Sequence, residues 1–179
     1  CLEILNIQLQ PHKMLHILGL NCPNLTILKL EWRPTLPATS FCDTDIKLLT
    51  STLHNLKALI LNSACNITNT GIKAIINNCP NLNVLYLTHL NKITNKSIHL
   101  IATKCKHLKI LCLDHTFINI EQIKYILSNM QQLVWLNYCR YCKSNYITCE
   151  YANSIKALYP HITFNEVCRM KDIKRLIYK

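Results

Sequence analysis

The chain has 179 residues, 50% of them hydrophobic, which supplies the core of one domain and excludes an intrinsically disordered polypeptide. Two glycines are too few for phosphate-cradling loops, and no run of about 18 apolar residues could cross a bilayer. The formal net charge of +11 favours acidic partners in general, whether protein, nucleic acid or membrane surface, without selecting one.

A leucine pattern, Leu-x-x-Leu-x-Leu, recurs from one end of the chain to the other. Its copies in chain order are Leu2/Leu5/Ile7, Leu25/Leu28/Leu30, Leu56/Leu59/Leu61, Leu82/Leu85/Leu87, Leu108/Leu111/Leu113 and Leu133/Leu136/Tyr138, with a degenerate last copy at Ile162/Phe164. Most neighbouring copies start 23 to 26 residues apart, and the second interval is 31 residues. A period of roughly 20–29 residues is typical of leucine-rich repeats.

Each copy predicts a short strand whose alternate leucines point into the core. Between the strands the apolar residues recur at helical spacing, and these helical runs are Ile72/Ile75/Ile76, Ile98/Leu100/Ile101 and Ile123/Ile126/Leu127. The runs follow Thr68, Thr94 and Asn119, which are good helix N-caps. One unit is therefore strand, loop, helix and return, and stacked units share one interior.

The 11 cysteines are too many, and the chain too long, for a small disulfide scaffold. Cys22, Cys79 and Cys105 stand three residues before a leading leucine, where other copies have Leu53 and Met130. Such positions suit small core residues rather than metal ligands. We therefore expect reduced thiols and an intracellular protein of the cytoplasm and/or nucleus.

Residues 79–87 (CPNLNVLYL) and 105–113 (CKHLKILCL), with 66–72 (NITNTGI) and 92–98 (KITNKSI), share one motif. These segments resemble the cysteine-containing leucine-rich repeats of F-box/leucine-rich-repeat proteins. The resemblance implies an α/β fold, namely a leucine-rich-repeat solenoid curved into a horseshoe with a parallel β-sheet on the concave side and helices on the convex side. The resemblance covers roughly residues 1–138, with a weaker echo to residue 165. We predict about six to seven repeats, the first truncated, in residues 1–165 and a basic C-terminal capping tail in residues 166–179.

The same resemblance implies a non-catalytic protein-recognition domain, the substrate-binding part of an SCF-type E3 ubiquitin ligase in ubiquitin-dependent protein degradation. Ubiquitin transfer would then fall to partner subunits.

The chain departs from the pattern where Ala64, Leu90 and Thr116 replace the usual cysteine and where Asn69 and Asn95 replace aspartate. Because Cys1 stands inside a repeat and no F-box precedes it, we expect a fragment, and an SCF adaptor binds only if the missing part supplies an F-box. The alternatives are an adaptor or inhibitor scaffold unrelated to ubiquitin and, less favoured, a basic nucleic-acid-binding module.

The residues between the leucines should face outward on the concave side and bind a protein target, because exposed aromatic and charged side chains dominate such interfaces. The predicted binding residues are Lys29, Glu31, Trp32, Ile60, Asn62, Tyr86, Thr88, His89, Asp114, His115, Trp135, Asn137 and Arg140. Tyr86 and Trp135 could instead only cover neighbouring strands. The long interval after Trp32 contains Pro34 and Pro37, which favour an extended loop, with or without a role in binding.

No catalytic residue, metal or cofactor is predicted. His89 and His115 occupy equivalent positions beside Asp114, but an open sheet offers no pocket, so they are interpreted as binding-face residues. Cys139, Cys142 and Cys149 leave a zinc cluster open as an alternative to free thiols. The basic tail is interpreted as a cap on the last repeat, with a membrane-surface or nucleic-acid role as the disfavoured alternative.

Overall fold

The computed structural model describes residues 4–7, 17–18, 20–31, 41–138, 149–164 and 170–177. Within these ranges, seven strands form one parallel sheet in which spatial order follows chain order. The strands are β1 (Ile4–Ile7), β2 (Ile27–Glu31), β3 (Ala58–Asn62), β4 (Val84–Thr88), β5 (Ile110–Leu113), β6 (Trp135–Tyr138) and β7 (Thr163–Phe164). The helices within these ranges include α1 (Asp43–Thr50), α2 (Asn69–Asn78), α3 (Asn95–Lys104), α4 (Ile120–Asn129), α5 (Cys149–Leu158) and α6 (Met170–Ile177).

The predicted alternation of strands and helices around a parallel sheet is confirmed. The second leucine of each complete copy pairs in register with its counterpart, so Leu59 lies between Leu28 and Leu85. Leu59, Leu85 and Leu111 are fully buried in one hydrophobic cluster together with helical isoleucines such as Ile72 and Ile98. The main core therefore lies between the sheet and the repeat helices, and neighbouring units share it.

Helices α2, α3 and α4 begin where the sequence predicts. The hydroxyl oxygens of Thr68 and Thr94 accept hydrogen bonds from the first turns of α2 and α3, and Asn119 forms a reciprocal capping box with Gln122. These caps satisfy backbone N–H groups that the helix itself leaves without partners.

Side chains at the first positions of α1 and α2 also tie these units to the next ones. Asp43 Oδ1 accepts hydrogen bonds from the backbone N–H groups of Thr68 (2.8 Å) and Gly71 (3.0 Å). One unit later, Asn69 Oδ1 accepts from Thr94 N–H (2.9 Å) and from the Ser97 hydroxyl (2.6 Å). An amide oxygen thus does in one unit what a carboxylate does in the other.

The predicted core positions of Cys79 and Cys105 are confirmed, since both thiols are buried at the ends of α2 and α3. Cys22 is only half-buried, whereas Cys65, in the loop after β3, is exposed. Burial raises the pKa of Cys79 to about 12 and that of Cys105 to about 11, because the thiolate is poorly solvated there.

This contrast predicts selective alkylation. With iodoacetamide at about pH 8, we expect Cys65 to react in the native protein while Cys79 and Cys105 react only after unfolding, because the thiolate is the nucleophile. Peptide mass spectrometry after timed quenching measures each site, and a reaction in denaturant provides the control. Native alkylation of Cys79 at the rate of Cys65 would contradict its placement in the core.

Candidate functional site

The face of the sheet opposite the repeat helices, here called the second face, carries side chains in three rows that cross the strands. Strand register defines the rows, because residues paired in a parallel ladder lie side by side. The apolar row is Ile27, Ala58, Val84, Ile110 and Trp135; the middle row is Lys29, Ile60, Tyr86, Cys112 and Asn137; the polar row is Glu31, Asn62 and Thr88. Among the predicted binding residues, Lys29, Ile60, Tyr86 and Asn137 lie in the middle row, Glu31, Asn62 and Thr88 lie in the polar row, and Trp135 lies in the apolar row.

The polar row is held together by its own side chains. Lys29 Nζ lies 2.6 Å from Glu31 Oε1, which also accepts a hydrogen bond from Asn62 Nδ2 (3.2 Å). The hydroxyl of Thr88 donates to Asn62 Oδ1 (2.7 Å). A continuous network thus crosses β2, β3 and β4 and fixes half-buried polar groups in defined positions.

Beyond the polar row, the strands leave the sheet through a repeated left-handed turn. Ser63, His89 and His115 occupy equivalent positions with φ of 61°, 58° and 54°. Residues other than glycine have a steric cost of about 1–2 kcal/mol in this left-handed region of the backbone. Backbone bonds offset this cost, because Ser63 N–H donates to Thr88 O and His89 N–H donates to Asp114 O, both at 3.0 Å. The turn therefore aims each exit side chain in the same direction.

The aligned turns stack the imidazoles of His89 and His115, with ring centroids 4.1 Å apart and planes 8° from parallel. Burial, and then the charge of His115, lower the pKa of His89, while Asp114 opposes that shift. Burial and the neighbouring charge therefore favour a neutral imidazole at His89. Because the rings are parallel, their in-plane nitrogen lone pairs do not converge on one point, as two ligands of a metal ion would. Among the described residues, no three or more His, Cys, Asp or Glu side chains are grouped to hold a metal ion.

The apolar row is the feature that the sequence analysis missed. Ile27, Ala58, Val84 and Ile110 are each 0% exposed and form a second hydrophobic cluster with Ile60. Their signal was present in the sequence, since the residue before the second leucine of each complete copy is aliphatic. A row that is apolar in one strand after another needs cover from water, and the leucine pattern alone does not provide it.

Part of that cover comes from the C-terminal tail. Helix α6 contributes Ile173 (1% exposed) and Ile177 (7% exposed) to the second cluster, and Tyr86 and Trp135 pack half-buried against it. The sequence predicts the tail as a cap on the last repeat, whereas Ile173 and Ile177 of α6 belong to the second cluster, together with residues of β2 to β5. The side chains of Ile155, Ile162 and Phe164 are the ones that close the main core near its C-terminal end.

The predicted binding residues differ in their exposure to solvent. His89 and His115 are exposed and Ile60 is buried; the half-buried ones are Lys29, Glu31, Asn62, Tyr86, Thr88, Asp114, Trp135 and Asn137. Trp32 and Arg140 lie outside the described residues, as do Cys139 and Cys142 of the possible zinc cluster. Which of these residues contact a partner stays a prediction.

The sequence matches no protein-family model, and no curated protein is similar to it. In the part of the chain that the structure describes, no helix is long and apolar enough to span a bilayer. The second face of the parallel sheet combines an apolar row, a polar row fixed by hydrogen bonds and a helix that covers part of it.

Proposed function

We propose that this chain is a leucine-rich-repeat solenoid whose concave sheet serves as a protein–protein recognition surface. Its curvature follows from two spacings: paired strands lie about 4.8 Å apart, whereas packed helices lie about 8–10 Å apart. A stack of units with strands on one side and helices on the other must bend toward the strands. The second face is then the inner surface of a horseshoe.

The observation that carries the proposal is the register-aligned second face. Its polar row is fixed by hydrogen bonds, its apolar row runs from β2 to Trp135 in β6, and Tyr86 packs beside that row. Apolar area surrounded by ordered polar groups and aromatic side chains is the composition of a protein interface. A rigid sheet also lowers the entropic cost of binding, because the contacting groups are already positioned.

We further propose that the target-binding role belongs to an SCF-type E3 ubiquitin ligase, with ubiquitin transfer on other subunits. The support for this step is the resemblance of residues 66–72, 79–87, 92–98 and 105–113 to repeats of that family. Expressing the full coding sequence and testing whether an SCF adaptor co-purifies decides it. Absence of both an F-box and an adaptor would leave a recognition scaffold unrelated to ubiquitin.

Replacing both Tyr86 and Trp135 by alanine is expected to weaken target binding by roughly tenfold or more, because aromatic residues are frequent hot spots. The target is first identified by cross-linking, and its affinity is then measured by titration against wild type and variant. Phe117→Ala is a matched control, since Phe117 is an aromatic residue that is 59% exposed and lies outside the three rows. Equal affinity of the double variant and wild type would place the interface elsewhere.

The net charge of +11 favours one second candidate, a nucleic-acid-binding module. Exposed lysines are spread over the helices and loops, among them Lys73, Lys92, Lys96, Lys104 and Lys106. Titration with mixed-sequence RNA at increasing salt tests this candidate, because released counterions make phosphate binding steeply salt-dependent. Affinity tighter than about micromolar at physiological salt would favour it over protein recognition.

A further inference from the structure

Helix α6 has the form of a ligand bound to the second face. Its two buried side chains, Ile173 and Ile177, lie one helical turn apart, so they project from the same side of the helix. Lys174 and Arg175, between them in sequence, are exposed. One side of the helix is therefore apolar and faces the sheet, while basic residues remain in water.

The dimensions of the helix and of the apolar row agree. The aliphatic part of the row, Ile27–Ala58–Val84–Ile110, crosses four adjacent strands, which spans about 14 Å at the usual strand spacing. Eight helical residues extend about 12 Å. Isolated helices this short are marginally stable in water, so packing against the sheet stabilises the helical conformation of α6.

The attachment of α6 differs from that of the repeat helices. Helices α2 and α3 are fixed by strands on both sides in the chain, by caps and by the side-chain links from Asp43 and Asn69. Helix α6 follows the last strand of the sheet and joins the second cluster, not the main core. Its removal would therefore expose the apolar row without breaking the stack of leucines.

We infer that the apolar row is a docking site for an amphipathic helix with aliphatic side chains one turn apart, and that α6 is its intramolecular occupant. A target protein then binds by presenting such a helix and displacing α6, as helices do when they lay an apolar face into a groove. The inference rests on the proposed recognition role of the second face and names the chemistry of the segment that the face recognises. While α6 is docked, the apparent affinity for a target is reduced by the small fraction of open molecules.

The test uses the full chain with isotope-labelled isoleucine methyl groups and a synthetic peptide of residues 165–179 as the probe. In the variant Ile173→Glu/Ile177→Glu, the methyl signals of Ile27, Ile60 and Ile110 should shift, while those of Ile72, Ile98 and Ile123 in the main core stay in place. Adding the peptide should restore the wild-type signals. The matched control, Lys174→Glu/Arg175→Glu, changes the exposed side of α6 and should leave the second-face signals unchanged.

Wild type should need at least roughly tenfold more peptide than the variant for the same occupancy, because a tethered segment competes at an effective concentration of about a millimolar. Second-face signals that do not move in the variant, or that move but never return with peptide, would overturn the inference. If the variant unfolds, excess peptide on labelled wild type decides: released Ile173 and Ile177 signals support displacement, and unchanged ones contradict it. No target protein is needed, so this experiment can fail while the recognition role stands.

Discussion

Replacing Leu85 by alanine is expected to lower the free energy of unfolding by about 2–5 kcal/mol, the largest effect of any single substitution proposed for this chain. Leu85 is fully buried in the main core, and its strand neighbours in register are Leu59 and Leu111. Truncation removes contacts on both sides of the central unit and leaves a cavity that rigid strands cannot close. Urea unfolding followed by circular dichroism measures the loss.

Leu158→Ala is the matched control, because it makes the same chemical change at a side chain that is 74% exposed in α5. An exposed truncation of this kind changes stability by about 0.5 kcal/mol or less. Equal losses at Leu85 and Leu158 would show that the units do not share a leucine-lined interior. That result would also remove the basis for a continuous second face.

Gly71→Ala is expected to destabilise the protein by about 1–3 kcal/mol, although alanine is ordinarily the better helix former. A Cβ atom at Gly71 would lie 2.5 Å from Asp43 Oδ1 and 2.9 Å from Ile67 Cγ2. The carboxylate cannot easily move away, because the N–H groups of Thr68 and Gly71 both donate to that oxygen. The Asp43 carboxylate that links the two units therefore disfavours a side chain at position 71.

A double-mutant cycle separates this explanation from a general defect in α2. In the Asp43→Ala background the obstructing oxygen is gone, so Gly71→Ala should cost less than it does in wild type. Ser97→Ala is the matched variant at the equivalent position one unit later, and it should lose about 1 kcal/mol, the worth of one hydrogen bond to Asn69. The same cost for Gly71→Ala in both backgrounds would mean that Asp43 is not the obstacle.

Much of the fold could be predicted from local pattern. The alternation within each leucine copy predicts the strands, and the run Ile72/Ile75/Ile76 after Thr68 predicts α2 with its cap. Both signals are local, since side-chain direction repeats every two residues in a strand and every 3.6 in a helix. The equivalence of His89 and His115 also followed from the repeat, and the structure places their rings in a stack.

The candidate site was less accessible to the same reasoning. Ile60 was predicted to be part of an exposed binding surface, yet it is 3% exposed in the second cluster. The burial of Val84 and Ile110 on that face depends on residues far along the chain, among them Ile173 and Ile177. No spacing rule relates these segments. The sequence pattern therefore shows that the strand residues and the isoleucines of α6 are apolar, but not that they contact one another.

The sequence by itself determined the repeating unit, its register and the leucine interior, because each of these is written in periodicities that act over a few neighbouring residues. Only the tertiary structure decided that α6 lies on the apolar row and that the Asp43 carboxylate reaches the start of α2. The physical reason is that burial of apolar area has no direction: two isoleucines on a short helix gain from covering any apolar surface within reach. Which surface that is depends on the path of the whole chain, and here it is the face proposed to receive a partner.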